Sequence, residues 1–129
     1  MAKIIKRDQE WQKQLTPEVY YVCRERGTEA PFSGRYYDCE DEGMYRCTCC
    51  QSPLFSSETK FDSGTGWPSY YEAIEDAVIE KGDRCFTMER IEVLCANCDA
   101  HLGHLFGDGP EPTGLRYCIN SICLELDEE

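Results

Sequence analysis

Positive charge is scarce in this chain. Thirteen Lys and Arg stand against 25 Asp and Glu over 129 residues, a formal charge of −12. A surface of that sign repels phosphate backbones and anionic headgroups, so neither nucleic acid nor a membrane surface is an expected partner. Long apolar runs are missing as well, since none approaches the roughly 20 residues that span a bilayer. The opening MAKIIKRDQEWQ turns polar at once and lacks the apolar core and cleavage site of an export signal. The expectation is a cytoplasmic protein. Histidine occurs only twice. No internal repeat or low-complexity segment is visible.

Cysteine is the residue in excess, with ten in the chain. Without an export signal, metal ligation and thiol chemistry are the expected uses, and a disulfide framework is not. Spacing decides between the two. Cys47 and Cys50 form one C-x2-C pair and Cys95 and Cys98 a second, with 44 residues between them. Two such turns can aim four thiolates at one tetrahedral ion, closing its coordination shell, so a structural zinc site is expected. Paired disulfides or a redox C-x-x-C are the rival readings, but two matched knuckles favour metal. Cys49 sits beside Cys50, and the symmetric spacing selects Cys50 as the ligand.

The architecture should be mainly β and antiparallel, after a helical arm over residues 1–27 and with a β core over 28–129. Thr16-Pro17-Glu18 reads as a helix start and Gly27 as its stop. RYYDC and MYRCTC flank EDEG as a hairpin. Further strands are expected at GWPSYY, RCFTMERIEVLC and LRYCINSICLEL, with GDGPEPTG as a turn.

If LRYCINSICLEL is one strand, alternation puts Arg116, Cys118 and Asn120 on one face. A neighbouring Arg lowers a thiol's pKa and raises its thiolate fraction. Cys118 is then either a reactive thiol or a buried structural cysteine. The residues alone leave both open. His101 and His104 lie just beyond the second knuckle, and four thiolates leave no place for them on zinc. They are free to carry protons. Trp67 is either a buried anchor or a flat apolar wall for a substrate group.

Taken together, GTEAPFSG, CTCC…PLF…TKFDSGTGWPS, MERIEVLCANCDAHLGHLF and DGPEPTGLRYCINS resemble the methionine-R-sulfoxide reductases of the MsrB family, from Leu15 to Leu126. The resemblance implies a β-tent of two antiparallel sheets with short N-terminal helices, and a single MsrB-like domain. It implies structural zinc on Cys47, Cys50, Cys95 and Cys98, and Cys118 as the nucleophile. Trp67 and Phe106 become substrate-binding residues. His101, His104, Asp108, Arg116 and Asn120 become pocket residues that orient oxygen, water and thiolate. The implied substrate is methionine-R-sulfoxide, free or in oxidised proteins, and the implied reductant is thioredoxin acting on a monomer.

One departure matters. Many family members carry a second cysteine in the SG-x-GWPS loop, and here that position is Thr65. A hydroxyl cannot resolve a sulfenic acid. Cys23, Cys85 or an external thiol must do so, and Cys23, on the terminal arm, is the first choice. Cys123 is set aside because five residues along one strand is about 16 Å and the opposite face. A zinc-ribbon adaptor is the rival from another class, but it leaves Cys118 and both histidines without a use.

Overall fold

The computed structural model describes the backbone of residues 7–85 and 88–128 and, apart from residue 8 and residues 83–90, their side chains. The chain begins with two short helices, α1 (Asp8–Gln14) and α2 (Pro17–Cys23). Thr16 caps α2 by accepting from the Val19 N–H, with Pro17 in the first turn and Glu18 on the positive end of the dipole. The stop differs in detail from the expectation. Arg24 is the C-cap, and the left-handed residue is Arg26, at φ 61°. Gly27 is needed for another reason, because the Tyr21 ring occupies the space that a Cβ there would fill.

Among the described residues nine strands follow: β1 (Gly43–Cys47), β2 (Pro53–Ser56), β3 (Lys60–Phe61), β4 (Ser69–Tyr70), β5 (Val78–Cys85), β6 (Met88–Cys95), β7 (His101–Phe106), β8 (Arg116–Ile119) and β9 (Leu124–Glu128). They form two antiparallel sheets, in the orders β2-β1-β9 and β3-β4-β8-β7-β6-β5. The mainly β class and the two-sheet arrangement expected from the sequence are therefore present. Among the described residues, no helix is long and apolar enough to cross a membrane.

Aromatic rings join the sheets. Tyr45 and Phe55 come from the smaller sheet, Tyr70 and Tyr117 from the larger. Phe55 stacks on Tyr70 at 4.4 Å, Tyr45 meets Tyr70 at 5.4 Å, and Phe55 meets Tyr117 at 5.6 Å. All four are buried, so each ring contributes about 2 to 3 kcal/mol of apolar transfer. Tyr117 thus faces the core. Its neighbours Arg116 and Cys118 are only half-buried and face the other way.

Three sequence expectations are corrected. RYYDC is not a strand and forms no hairpin with MYRCTC; β1 pairs instead with β2 and β9. Its Tyr36 has another task, packing its ring at 5.3 Å from Tyr45 while its hydroxyl accepts from the Leu126 N–H. RCFTMERIEVLC is the return of a hairpin rather than one strand, with Cys85 paired to Met88; its tip, residues 86 and 87, lies outside the described residues. LRYCINSICLEL is two strands in different sheets. A 3₁₀ turn at Ser121–Cys123 separates β8 from β9. The Asn120 side chain, bonded outward to two distant backbone groups, holds the chain there.

Candidate active site and metal centre

β1 and β6 end at Cys47 and Cys95, and each runs into the same turn. The first cysteine's N–H donates to the carbonyl five residues on, Ser52 or Ala100, at 2.9 Å in both. The residue four on, Gln51 or Asp99, donates back to the cysteine carbonyl from left-handed backbone, at φ 67° and 63°. These local bonds curl each C-x2-C so that both thiols point the same way. The four Sγ atoms of Cys47, Cys50, Cys95 and Cys98 lie within 4.8 Å of one another. Cys47–Cys98 and Cys50–Cys95 are 3.7 and 3.6 Å apart. A tetrahedron with Zn–S bonds of about 2.3 Å has sulfur–sulfur edges of about 3.8 Å, so the spacing fits a four-thiolate metal. Cys49 stands outside the set, as the spacing argument required.

On the larger sheet, β8 lies between β4 and β7. Cross-strand pairing aligns Ser69 and His104 with Cys118, and Glu92 of β6 with His104. One row therefore crosses the sheet on the face away from the aromatic core: Glu92, His104, Cys118, Ser69. Phe106 and Arg116 form the next row, with the guanidinium 4.3 Å from the Phe106 ring.

The environment of Cys118 differs from the simple expectation of an Arg-lowered thiol. Burial pushes the thiol above its ordinary value. Arg116 and the Thr65 hydroxyl pull downward and only partly offset this, while Glu29 adds to the rise. Arg116 is also shared. Its Nε donates to Asp108 Oδ1 at 2.8 Å and Nη2 to Oδ2 at 3.3 Å, which raises the Arg116 pKa and lowers that of Asp108. The Thr65 hydroxyl bears directly on Cys118. Ser63 bonds Thr65 at 2.8 Å and receives a bond from Ser69 at 2.7 Å. A cleft of about 410 Å³ opens beside this hydroxyl chain, lined by Phe61, Ser63, Thr65, Asp108, Pro110 and Arg116.

The two histidines share a face because β7 is bulged. Residues three apart on a regular strand face opposite sides. Here the register slips between Val93 and Leu94, so that Leu94 opposes His101 while Val93 opposes Gly103. The extra residue turns His101 back toward His104, and their rings stand 5.5 Å apart, edge to face.

Trp67 is half-buried, and its indole Nε1 donates to the Glu29 carbonyl at 3.1 Å. Asn120 is buried, with both ends of its amide in use: Nδ2 donates to the Leu102 carbonyl at 2.9 Å and Oδ1 accepts from the Glu29 N–H at 3.1 Å. Asn120 thus ties residue 29 to the sheet, and its side-chain bonds go to backbone rather than to Cys118. Cys23 is buried on α2, its thiol 3.2 Å from that of Cys123. The 3₁₀ turn carries Cys123 back to the arm, so the one-strand, 16 Å argument about that residue does not hold. Cys85 ends β5, and its side chain lies outside the described residues.

Glu92 was missed. It is buried, accepts at Oε2 from His101 Nδ1 at 2.7 Å, and pairs with Arg26 at 3.0 Å. The only signal in the sequence is an acidic residue inside ERIEVLC, which reads as a solvent-facing strand position.

Comparison with known proteins agrees with this geometry. A family model described as the SelR domain matches residues 15–128. The peptide methionine sulfoxide reductase MsrB of Pseudomonas fluorescens (strain Pf-5) is 59% identical over 127 residues, 98% of this chain and 98% of its own. That of Pseudomonas syringae pv. syringae is 60% identical over 98% of this chain and 97% of its own, and that of Herminiimonas arsenicoxydans 60% over 97% and 92%. With the SelR match spanning the sheets and the knuckles, the chain belongs to the MsrB family of methionine sulfoxide reductases.

Proposed function

We propose that the protein reduces methionine-R-sulfoxide, free or in oxidised proteins, to methionine. The observation that carries this is the placing of Cys118, half-buried on the outward face of β8 and contacted by Arg116 and Thr65. The Cys118 thiolate attacks the sulfoxide sulfur. With one proton taken up, the substrate S–O bond breaks, its oxygen passes to the Cys118 sulfur as hydroxyl, methionine leaves, and Cys118 becomes a sulfenic acid. His101, His104, Asp108 and Arg116 supply the polar side of the pocket, and Trp67 and Phe106 the apolar side that takes the substrate methyl. Four-thiolate zinc is a structural clip away from this chemistry.

The test is stereospecific. Reduced protein, without a recycling reagent, is incubated with R- and S-methionine sulfoxide separately. About one methionine per chain is expected from R and none from S. No methionine from either epimer would sink the reading.

For the second half-reaction we propose Cys23. Its thiol displaces the sulfenic oxygen as water and forms a Cys23–Cys118 disulfide, which thioredoxin then reduces by dithiol exchange. The protein acts as a monomer in the cytoplasm. The support for Cys23 is its place on α2, a seven-residue helix of the N-terminal arm. Its buried contact with Cys123 means that α2 must shift for the bond to form. Cys23→Ser is expected to leave the first turnover intact and to remove the Cys118 disulfide in peptide maps of turned-over enzyme. An unchanged partner mass on Cys118 would redirect the assignment to another cysteine, Cys85 or Cys123. A Cys118 with no disulfide partner in wild type would indicate direct reduction by an external thiol.

A further inference from the structure

The most unusual polar group in the protein, apart from the metal cluster, is the Glu92 carboxylate. Its side chain is 2% exposed in the middle of a strand, where an ionised group is costly unless compensated. Two partners compensate it, Arg26 and His101. Arg26 grips both oxygens, Nη2 to Oε1 at 3.0 Å and Nε to Oε2 at 3.1 Å. His101 Nδ1 stands 2.7 Å from Oε2. Arg26 reaches Glu92 because the turn after α2 passes through left-handed backbone at that residue.

This arrangement determines the state of His101. Burial lowers its pKa, and the Glu92 carboxylate raises it without cancelling the fall. His104 and Arg26, the other charged or titratable groups bearing on the ring, push downward as well. The imidazole is therefore neutral near pH 7, with a single N–H. A carboxylate oxygen at 2.7 Å from Nδ1 can only accept, so that proton sits on Nδ1. Nε2 is left as a bare acceptor, buried and without a hydrogen-bond partner among the described residues. The ring packs edge to face on His104, the histidine opposite Cys118.

We infer that Glu92 is a positioning residue for the reduction at Cys118: by holding the Nδ1 proton of His101 it leaves Nε2 as an acceptor on a ring packed against His104, and Arg26 on the terminal arm holds the carboxylate in place for that task. Nε2 in this form can only accept a hydrogen bond, from a donor such as a water or a protonated oxygen. The opposite tautomer would offer a donor and reject those groups. A carboxylate that fixes an imidazole's tautomer is a general device, and its loss acts through geometry and protonation rather than through contact with substrate.

This inference rests on the proposed sulfoxide reduction, so its test includes a readout independent of activity. With only two histidines in the chain, the ring ¹⁵N resonances can be assigned directly. Wild type at pH 7.5 is expected to show His101 protonated at Nδ1 and bare at Nε2. Glu92→Gln removes the charge at nearly constant volume. It is expected to mix or invert that tautomer and to slow single-turnover methionine formation by roughly 10- to 100-fold, with KM changed far less than kcat. Arg26→Met, altered on the exposed side, covers the case in which Glu92→Gln fails to fold; it should shift the same resonances and slow the same step by a smaller factor. A wild-type His101 protonated at Nε2 would overturn the inference, as would a folded Glu92→Gln or Arg26→Met enzyme with the wild-type rate. Absence of any turnover in wild type would instead refute the proposed function and leave the tautomer assignment to stand or fall on the resonances.

Discussion

Cys95→Ser is expected to bind no metal and to melt at least about 15 °C below the wild type. The magnitude follows from where the four thiols sit. Cys47 ends β1 of the smaller sheet and Cys95 ends β6 of the larger, so an ion held by the four thiols would link the two sheets at strand ends. Four thiolates crowded within 4.8 Å repel one another without a cation between them. Metal-binding energy at such a site is folding energy, about 10 kcal/mol or more in small isolated zinc modules. Even if only about half of that is realised here, a domain of this size loses several °C for each kcal/mol. The measurement is metal content per chain together with a thermal melt, with and without chelator. Two controls sharpen it. Cys49→Ser should keep one metal per chain, because Cys49 stands outside the ligand set, whereas Cys50→Ser should lose it. A Cys95→Ser protein with full metal content and an unchanged melt would show that the cluster is not the clip described here.

The contrast between what could and could not be read in advance has a physical origin. Each knuckle is made by bonds spanning four or five residues, so its geometry is contained in the sequence that forms it. Thr16-Pro17 is local in the same sense. The facing of Arg116 and Cys118 followed from alternation, which holds as long as the strand does. It failed at Asn120, because what bends the chain there is an amide bonded to Glu29 and Leu102, 91 and 18 residues away. The shared face of His101 and His104 depends on a bulge set by the register of β6 against β7, which no spacing within β7 reveals. Glu92 is the extreme case. Its burial is a property of Arg26, 66 residues earlier, and of His101 on the next strand. The thiol of Cys118 was expected to be lowered by Arg116, but burial outweighs a cation already shared with Asp108.

Cys118→Ser is expected to form no methionine from the R-sulfoxide, a loss of at least about a thousandfold in the single-turnover rate, while keeping its metal and its melting temperature. Serine should fit without strain. Position 118 is half-buried on the outward face, opposite Ser69 and against Thr65. A hydroxyl there extends a chain that already runs through Ser69, Ser63 and Thr65. What serine removes is the nucleophile. A thiol held above its ordinary pKa by burial still yields some thiolate near neutral pH, and Arg116 and Thr65 stabilise that form as it appears. An alcohol at the same place would need a strong base to ionise. His101 is a poor candidate for that base, since burial lowers its pKa. Sulfur is also the only one of the two that can carry the transferred oxygen as a sulfenic acid and then release it by forming a disulfide. Methionine is counted per chain after acid quench, with circular dichroism and metal content taken on the same sample. About one methionine from the serine variant would move the nucleophile to another cysteine and detach the function from this strand. A variant that is inactive but also unfolded or metal-free would assign Cys118 to the architecture instead, contradicting its outward, half-buried position.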